Sequence, residues 1–135
     1  MYGKIVSKEE ADKLFGQVIE SKEISVKDLL AFVNQNEKSV MFNIIEGELH
    51  ILGDGRKVLH PKGSVVKPDV VFHHYGKEVV LELLNSVDNA EGSVSVERRN
   101  DKLTVTCGAS TLEWGVDCPP YCPWLNYADF NNIQT

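Results

Sequence analysis

The stretch Ser93-Val94-Ser95-Val96-Glu97-Arg98-Arg99-Asn100-Asp101-Lys102-Leu103-Thr104-Val105-Thr106-Cys107 decides the fold class. Apolar residues alternate with polar ones on both sides of Asn100-Asp101, the period-two pattern of a half-buried strand. A two-residue turn at Asn100-Asp101 closes the two runs into an antiparallel hairpin. It sets Arg98 opposite Leu103, Val96 opposite Val105 and Val94 opposite Cys107. One face then carries Val94, Val96, Leu103, Val105 and Cys107. On that parity Cys107 is expected in the core, where a free thiol behaves as a small hydrophobe.

Working towards the N-terminus, the same pattern recurs. Val40 to Ile45 and Glu48 to Leu52 flank Gly47, and Gly53-Asp54-Gly55-Arg56 carries the Asp-Gly hairpin signal. A two-residue turn there sets Ile51 opposite Val58 and Leu49 opposite His60. His50 and His60 fall on opposite faces and cannot share a metal. Val70 to Tyr75 and Glu78 to Leu84 read as a further hairpin around Gly76-Lys77, with His74 on the buried face. His73, Tyr75, Glu78, Val80 and Glu82 share the other face. Thr111 to Val116 is the last expected strand.

The first 36 residues are expected to be helical. Ser7-Lys8-Glu9-Glu10 is a capping box, and Ala11, Leu14, Phe15, Val18 and Ile19 behind it follow helical spacing. Ser25 opens a second helix with Leu29, Leu30, Phe32 and Val33, ending near Asn34-Gln35-Asn36. Helices followed by strands with short turns indicate an α+β fold. The sequence thus predicts one domain over 1–135. Two N-terminal helices (1–36) cover a curved antiparallel β-meander (39–116), and a proline- and aromatic-rich arm (117–135) follows. No internal repeat and no phosphate-binding loop is visible.

Composition narrows the function classes. The 135 residues are 42% hydrophobic and 25% charged, with a formal net charge of −6. That charge opposes general binding to nucleic acid. No run is long and apolar enough for a membrane span, and the start lacks the pattern of a secretory signal. With three cysteines, these features predict a cytoplasmic protein with reduced thiols. Two basic points stand out, Arg56-Lys57-Lys62-Lys67 and Arg98-Arg99-Lys102. They read either as solvated strand ends or as an anion site.

Chemistry beyond folding is suggested in the segment Cys118-Pro119-Pro120-Tyr121-Cys122-Pro123-Trp124. Cys118 and Cys122 have a spacing compatible with half of a zinc site, though a second pair is missing. They lack the Cys-x-x-Cys spacing of a thioredoxin-type redox pair, and a disulfide between them is disfavoured in a reducing compartment. Tyr121, Trp124, Tyr127 and Phe130 recur every three residues. Their aromatic surface calls for burial against the sheet or a partner. The sequence therefore predicts a small non-enzymatic binding domain without a required cofactor. It would contact a protein partner or a second copy of itself through a sheet face and this arm. Two alternatives stand beside it: a zinc or thiol-redox site at Cys118 and Cys122, and a ligand or enzyme pocket around His73, Tyr75 and Glu82.

Overall fold

A computed structural model of the chain describes residues 3–85, 92–100, 102–113 and 115–118. Helices and antiparallel sheets are mixed, as an α+β fold requires, with three α-helices and ten strands among the described residues. The strands form two five-stranded sheets instead of one curved meander. In order along the chain the elements are β1 (Lys4–Ser7), α1 (Lys8–Phe15), β2 (Glu20–Ser25), α2 (Val26–Asn34), β3 (Ser39–Ile45), β4 (Glu48–Leu52) and β5 (Val58–His60). They continue with β6 (Phe72–Gly76), α3 (Lys77–Asn85), β7 (Ser93–Arg99), β8 (Lys102–Cys107), β9 (Ser110–Glu113) and β10 (Val116–Cys118). One sheet, here sheet A, runs β1-β9-β8-β7-β2, and sheet B runs β10-β6-β3-β4-β5.

This order contains a duplication that the sequence did not reveal. The succession strand–helix–strand–strand–strand occurs twice, as β2-α2-β3-β4-β5 and as β6-α3-β7-β8-β9. Each unit places its first strand in the sheet built by the other, so β2 lies beside β7 and β6 lies beside β3. Helices α2 and α3 carry the chain from one sheet to the other. Equivalent core positions follow the same intervals: Val40, Phe42, Leu49 and Ile51 in sheet B, and Val94, Val96, Leu103 and Val105 in sheet A, all buried. The turns match as well, since Glu46 and Gly47 have φ of 52° and 77° and Asn100 has φ of 52°, the left-handed backbone of a tight hairpin. What repeats is burial pattern and turn conformation, with few identical residues, and such a repeat is silent to inspection.

The hairpin that decided the fold class has the expected register, with Val96 opposite Val105 and Arg98 opposite Leu103. Cys107 is buried in the main core with Val94, Val96 and Val105. Both helix starts are capped as read: Ser7 Oγ accepts from the Glu10 N–H at 3.1 Å, and Ser25 Oγ accepts from the Asp28 N–H at 3.0 Å. Residues 1–36, however, also hold strands β1 and β2. Helix α1 stops at Phe15 because Gly16 takes a left-handed φ of 88°. Ile19, expected on the helix face, is 65% exposed.

The segment Glu78 to Leu84 is a correction. Its valines suggested a strand, yet it forms α3, burying Val79, Val80, Leu83 and Leu84. Those positions are spaced i, i+1, i+4 and i+5, a helical stripe that the β-branched residues concealed. The hairpin at Gly76-Lys77 therefore does not exist, and the Lys77 N–H bonds the Lys38 carbonyl instead. The Asp54-Gly55 turn is corrected too. Asp54–Arg56 forms a short 3-10 turn, and a bulge pairs Ile51 with His60 and Leu52 with Val58. The Asp54 carboxylate accepts the N–H groups of Glu37, Lys38 and Ser39, at 2.7 to 3.3 Å. His50 and His60 still face opposite ways, because His60 pairs with Ile51, the neighbour of His50. Thr111 to Val116 is not one strand: the chain leaves sheet A after Glu113 and enters sheet B at Val116.

One apolar core joins α2, α3 and the facing sides of both sheets. A second, smaller core of Met41, Leu52, Phe72 and Cys118 lies on the other side of sheet B. The other side of sheet A is polar. There Arg99, 0% exposed, donates to Thr104 Oγ1 at 3.1 Å, the Gly16 carbonyl at 2.9 Å and Glu97 at 3.3 Å, and also to Asp12 of α1. Thr106 completes the net by donating to Glu97 at 2.5 Å. This network pins α1 to the sheet. No helix among the described residues is long and apolar enough to cross a membrane.

Candidate functional site

Among the described residues two places stand out for chemistry or recognition, and they lie on different parts of the fold. The first is a cavity of about 250 Å³ at the point where the chain crosses from β9 to β10. Sheet A contributes Lys102, Leu103 and Thr104 from β8 and Glu113 from β9, and Phe15 closes it from the end of α1. Sheet B contributes His73 from β6 and Asp117 from β10, opposite one another in the register. Their side chains meet, with His73 Nδ1 3.3 Å from Asp117 Oδ1. Glu113 is 1% exposed. Gly115 makes the crossing possible, since a Cβ there would stand 2.8 Å from the Tyr75 ring.

Tyr75 forms part of the frame beneath this cavity. It is fully buried, and its hydroxyl donates to the Leu103 carbonyl at 2.6 Å. Burial raises its pKa far above the ordinary phenol value, and the neighbouring Glu113 carboxylate adds to the rise. Tyr75 therefore stays protonated and holds the two sheets together. The pocket expected around His73, Tyr75 and Glu82 is thus corrected in membership. His73 lines a cavity and Tyr75 supports it, but Glu82 sits exposed on α3. Glu113, Asp117 and Thr104 went unnoticed in the sequence, and Lys102 was read only as part of a basic point with Arg98 and Arg99, because only the crossing between sheets brings them together.

The second place is the outer side of sheet B. A groove of about 480 Å³ runs between the β3–β4 hairpin and residues 61–71. Ile45, Val66, Val70 and His50 are its half-buried lining, and Val65, Glu46, Glu48 and Lys67 line it as exposed side chains. Val65 is 93% exposed. Arg56 holds the far side of this region: its guanidinium donates to the carbonyls of Cys118 at 2.7 Å, Val70 at 2.8 Å and Lys67 at 3.2 Å. It also lies 5.4 Å from the centre of the Phe72 ring, within cation–π range.

The basic points read as solvated ends or an anion site are thereby largely absorbed. Arg56 and Arg99 are structural clamps, and Arg98 bonds Asn43, the Ile44 carbonyl and Glu20. Cys107 is a free, buried thiol whose pKa is raised by burial. Cys118 is 0% exposed and disulfide-bonded. That bond pulls against the reduced thiols expected above. Cys122, Tyr121, Trp124, Tyr127 and Phe130 lie outside the described residues, and so does any zinc site that would need Cys122. Among the described residues no group of three or more His, Cys, Asp or Glu side chains is gathered to hold a metal. No family model, curated protein or solved structure matches the chain.

Proposed function

We propose that this is a protein-binding domain whose contact surface is the outer side of sheet B, extended by the aromatic arm that begins just after Cys118. The observation that carries the reading is the solvent-exposed Val65 at a groove whose lining mixes apolar and charged side chains. A valine 93% exposed beside Ile45, Val66 and Val70 gives apolar surface that gains from being covered. Four aromatic residues, Tyr121, Trp124, Tyr127 and Phe130, follow in sequence from the strand that ends at this face, and such residues dominate protein interfaces. The exposed Glu46 and Glu48, with the net charge of −6, favour an apolar partner segment carrying a basic residue and disfavour nucleic acid.

The size of the assembly in cell extract tests this. Wild-type protein is expected to elute well above its monomer mass of 15.1 kDa, as a homo-oligomer or with a partner. Val65→Glu should return it to monomer size while leaving thermal unfolding unchanged, since that side chain is in solvent. A wild type that runs as a monomer in extract, or an assembly unmoved by Val65→Glu, overturns the proposal.

A further inference from the structure

The two units of the duplication differ at one strand edge, in sheet A and away from the Val65 groove. Strand β10 lies along the outer edge of β6, with Val116, Asp117 and Cys118 opposite His74, His73 and Phe72. The counterpart of β6 is β2. Ser25 and Ile24 pair with Ser93 and Val94 just before α2, as Gly76 and Tyr75 pair with Ser39 and Val40 just before α3. Ser21, Lys22 and Glu23 therefore stand where Phe72, His73 and His74 stand. Among the described residues no strand covers their outer edge. Ser21 and Glu23 are exposed, whereas Phe72 and His74 are buried. We propose that β2 accepts an extended segment of another protein as a further strand of sheet A, antiparallel and in the register β10 takes on β6. The segment carries basic, acidic and basic residues in succession, opposite Glu23, Lys22 and Ser21.

Backbone alternation decides which groups such a strand meets. The Val26 N–H bonds the Gly92 carbonyl, one step beyond the Ser25–Ser93 pair. The N–H and C=O groups of Ile24 and Lys22 then point to β7, and those of Glu23 and Ser21 point outwards. Lys77 bonds Lys38 in the same way on β6, where His74 and Phe72 turn to β10. Side chains supply the selectivity. Ile24 is in the main core, so Lys22 lies on the core side of the sheet, with Ser21 and Glu23 on the outer side. Both line a groove of about 370 Å³ together with Glu97, Ser95 and Thr106. Ser21 is directly opposite Glu97, whose hydrogen bonds from Arg99, Thr104 and Thr106 all end on Oε1. A basic side chain arriving over Ser21 meets the other oxygen. Charges on an edge strand repel unsuited strands and attract one of opposite pattern, as His73 meets Asp117 at 3.3 Å across the equivalent edge.

Fluorescence anisotropy of the full chain with the capped, dye-labelled peptide Thr-Val-Lys-Asp-Arg-Thr tests this. Saturable binding with a Kd below about 100 μM is expected. Methylating the backbone nitrogen of the peptide's Lys or Arg should weaken binding about tenfold, because those N–H groups donate to the Glu23 and Ser21 carbonyls. Methylating the Asp nitrogen, which points away from β2, should change binding by less than about twofold. These comparisons use the wild-type protein, so folding of a variant does not enter. Lys22→Glu should weaken the peptide about fivefold, and replacing the peptide's Asp with Lys should restore binding to that variant. Absence of saturable binding up to about 1 mM overturns the proposal. So do methylation losses that ignore the alternation, or a Lys22→Glu loss that the exchanged peptide does not recover. Val65→Glu should leave the peptide's affinity intact, and its loss in that variant would place the peptide on the sheet B groove and overturn the proposal.

Discussion

Replacing Arg99 with Met should be among the most damaging single changes in this protein. The guanidinium is 0% exposed and serves four acceptors on three segments: Thr104, Glu97, Asp12 and the Gly16 carbonyl. Methionine matches much of the volume, so packing loss is small and the cost is electrostatic. Breaking a buried ion pair from one side typically costs about 3–5 kcal/mol. Asp12 is 35% exposed and can be solvated once released, so the lower end, about 3 kcal/mol, is expected. For a domain of this size that lowers the midpoint of thermal unfolding by about 10 °C. The assay is urea unfolding followed by circular dichroism, with the m-value checked for constancy. Arg98→Met is the internal control. Its partner Glu20 is 36% exposed and Arg98 itself 29% exposed, so a loss of about 1 kcal/mol is expected. An Arg99→Met loss no larger than that of Arg98→Met would refute the claim that this network fastens α1 to sheet A.

Tyr75→Phe should cost about 1–2 kcal/mol by leaving the Leu103 carbonyl without its donor. It should also change the alkaline limb. The Tyr75 pKa is raised in the fold, so its contribution is complete below the unfolded value near 10 and fades as pH rises above it. The variant should lack that fading. Gly115→Ala, whose new methyl would meet the Tyr75 ring at 2.8 Å, should destabilise by about 1–3 kcal/mol in the same urea assay. Cys107, buried with a raised pKa, should react with a thiol reagent only when the protein unfolds. Lysis of the cells directly into denaturant with an alkylating reagent, followed by peptide mass analysis, should tag Cys107 and leave Cys118 untagged because its thiol is held in a disulfide, and a tagged Cys118 would contradict this.

Local features were legible where one segment decided its own structure. Ser7 and Ser25 caps need only the following turn, and the Asn100-Asp101 hairpin needs only its own alternation, so both were read with the right partners. Legibility failed where two signals competed. Val79 and Val80 favour strands by side-chain shape, yet Val79, Val80, Leu83 and Leu84 form a helical stripe that α2 and both sheets cover. Arg56 and Arg99 looked like surface charges because nothing local reveals that a chain segment will fold over them. Half of the pocket was visible through His73 and Tyr75. The other half, Glu113 and Asp117, depends on a chain crossing between two sheets, which no single-strand pattern records.

The most direct test of the binding role is site-specific photo-crosslinking in the cells that make the protein. A photoreactive residue is placed in turn at Val65 and Glu48 on the groove, and at Lys27 on α2 as an exposed control. The account predicts a discrete adduct, a second copy or one partner protein, from positions 65 and 48 and none from 27. No adduct from either groove position, or equal adducts from all three, would contradict it.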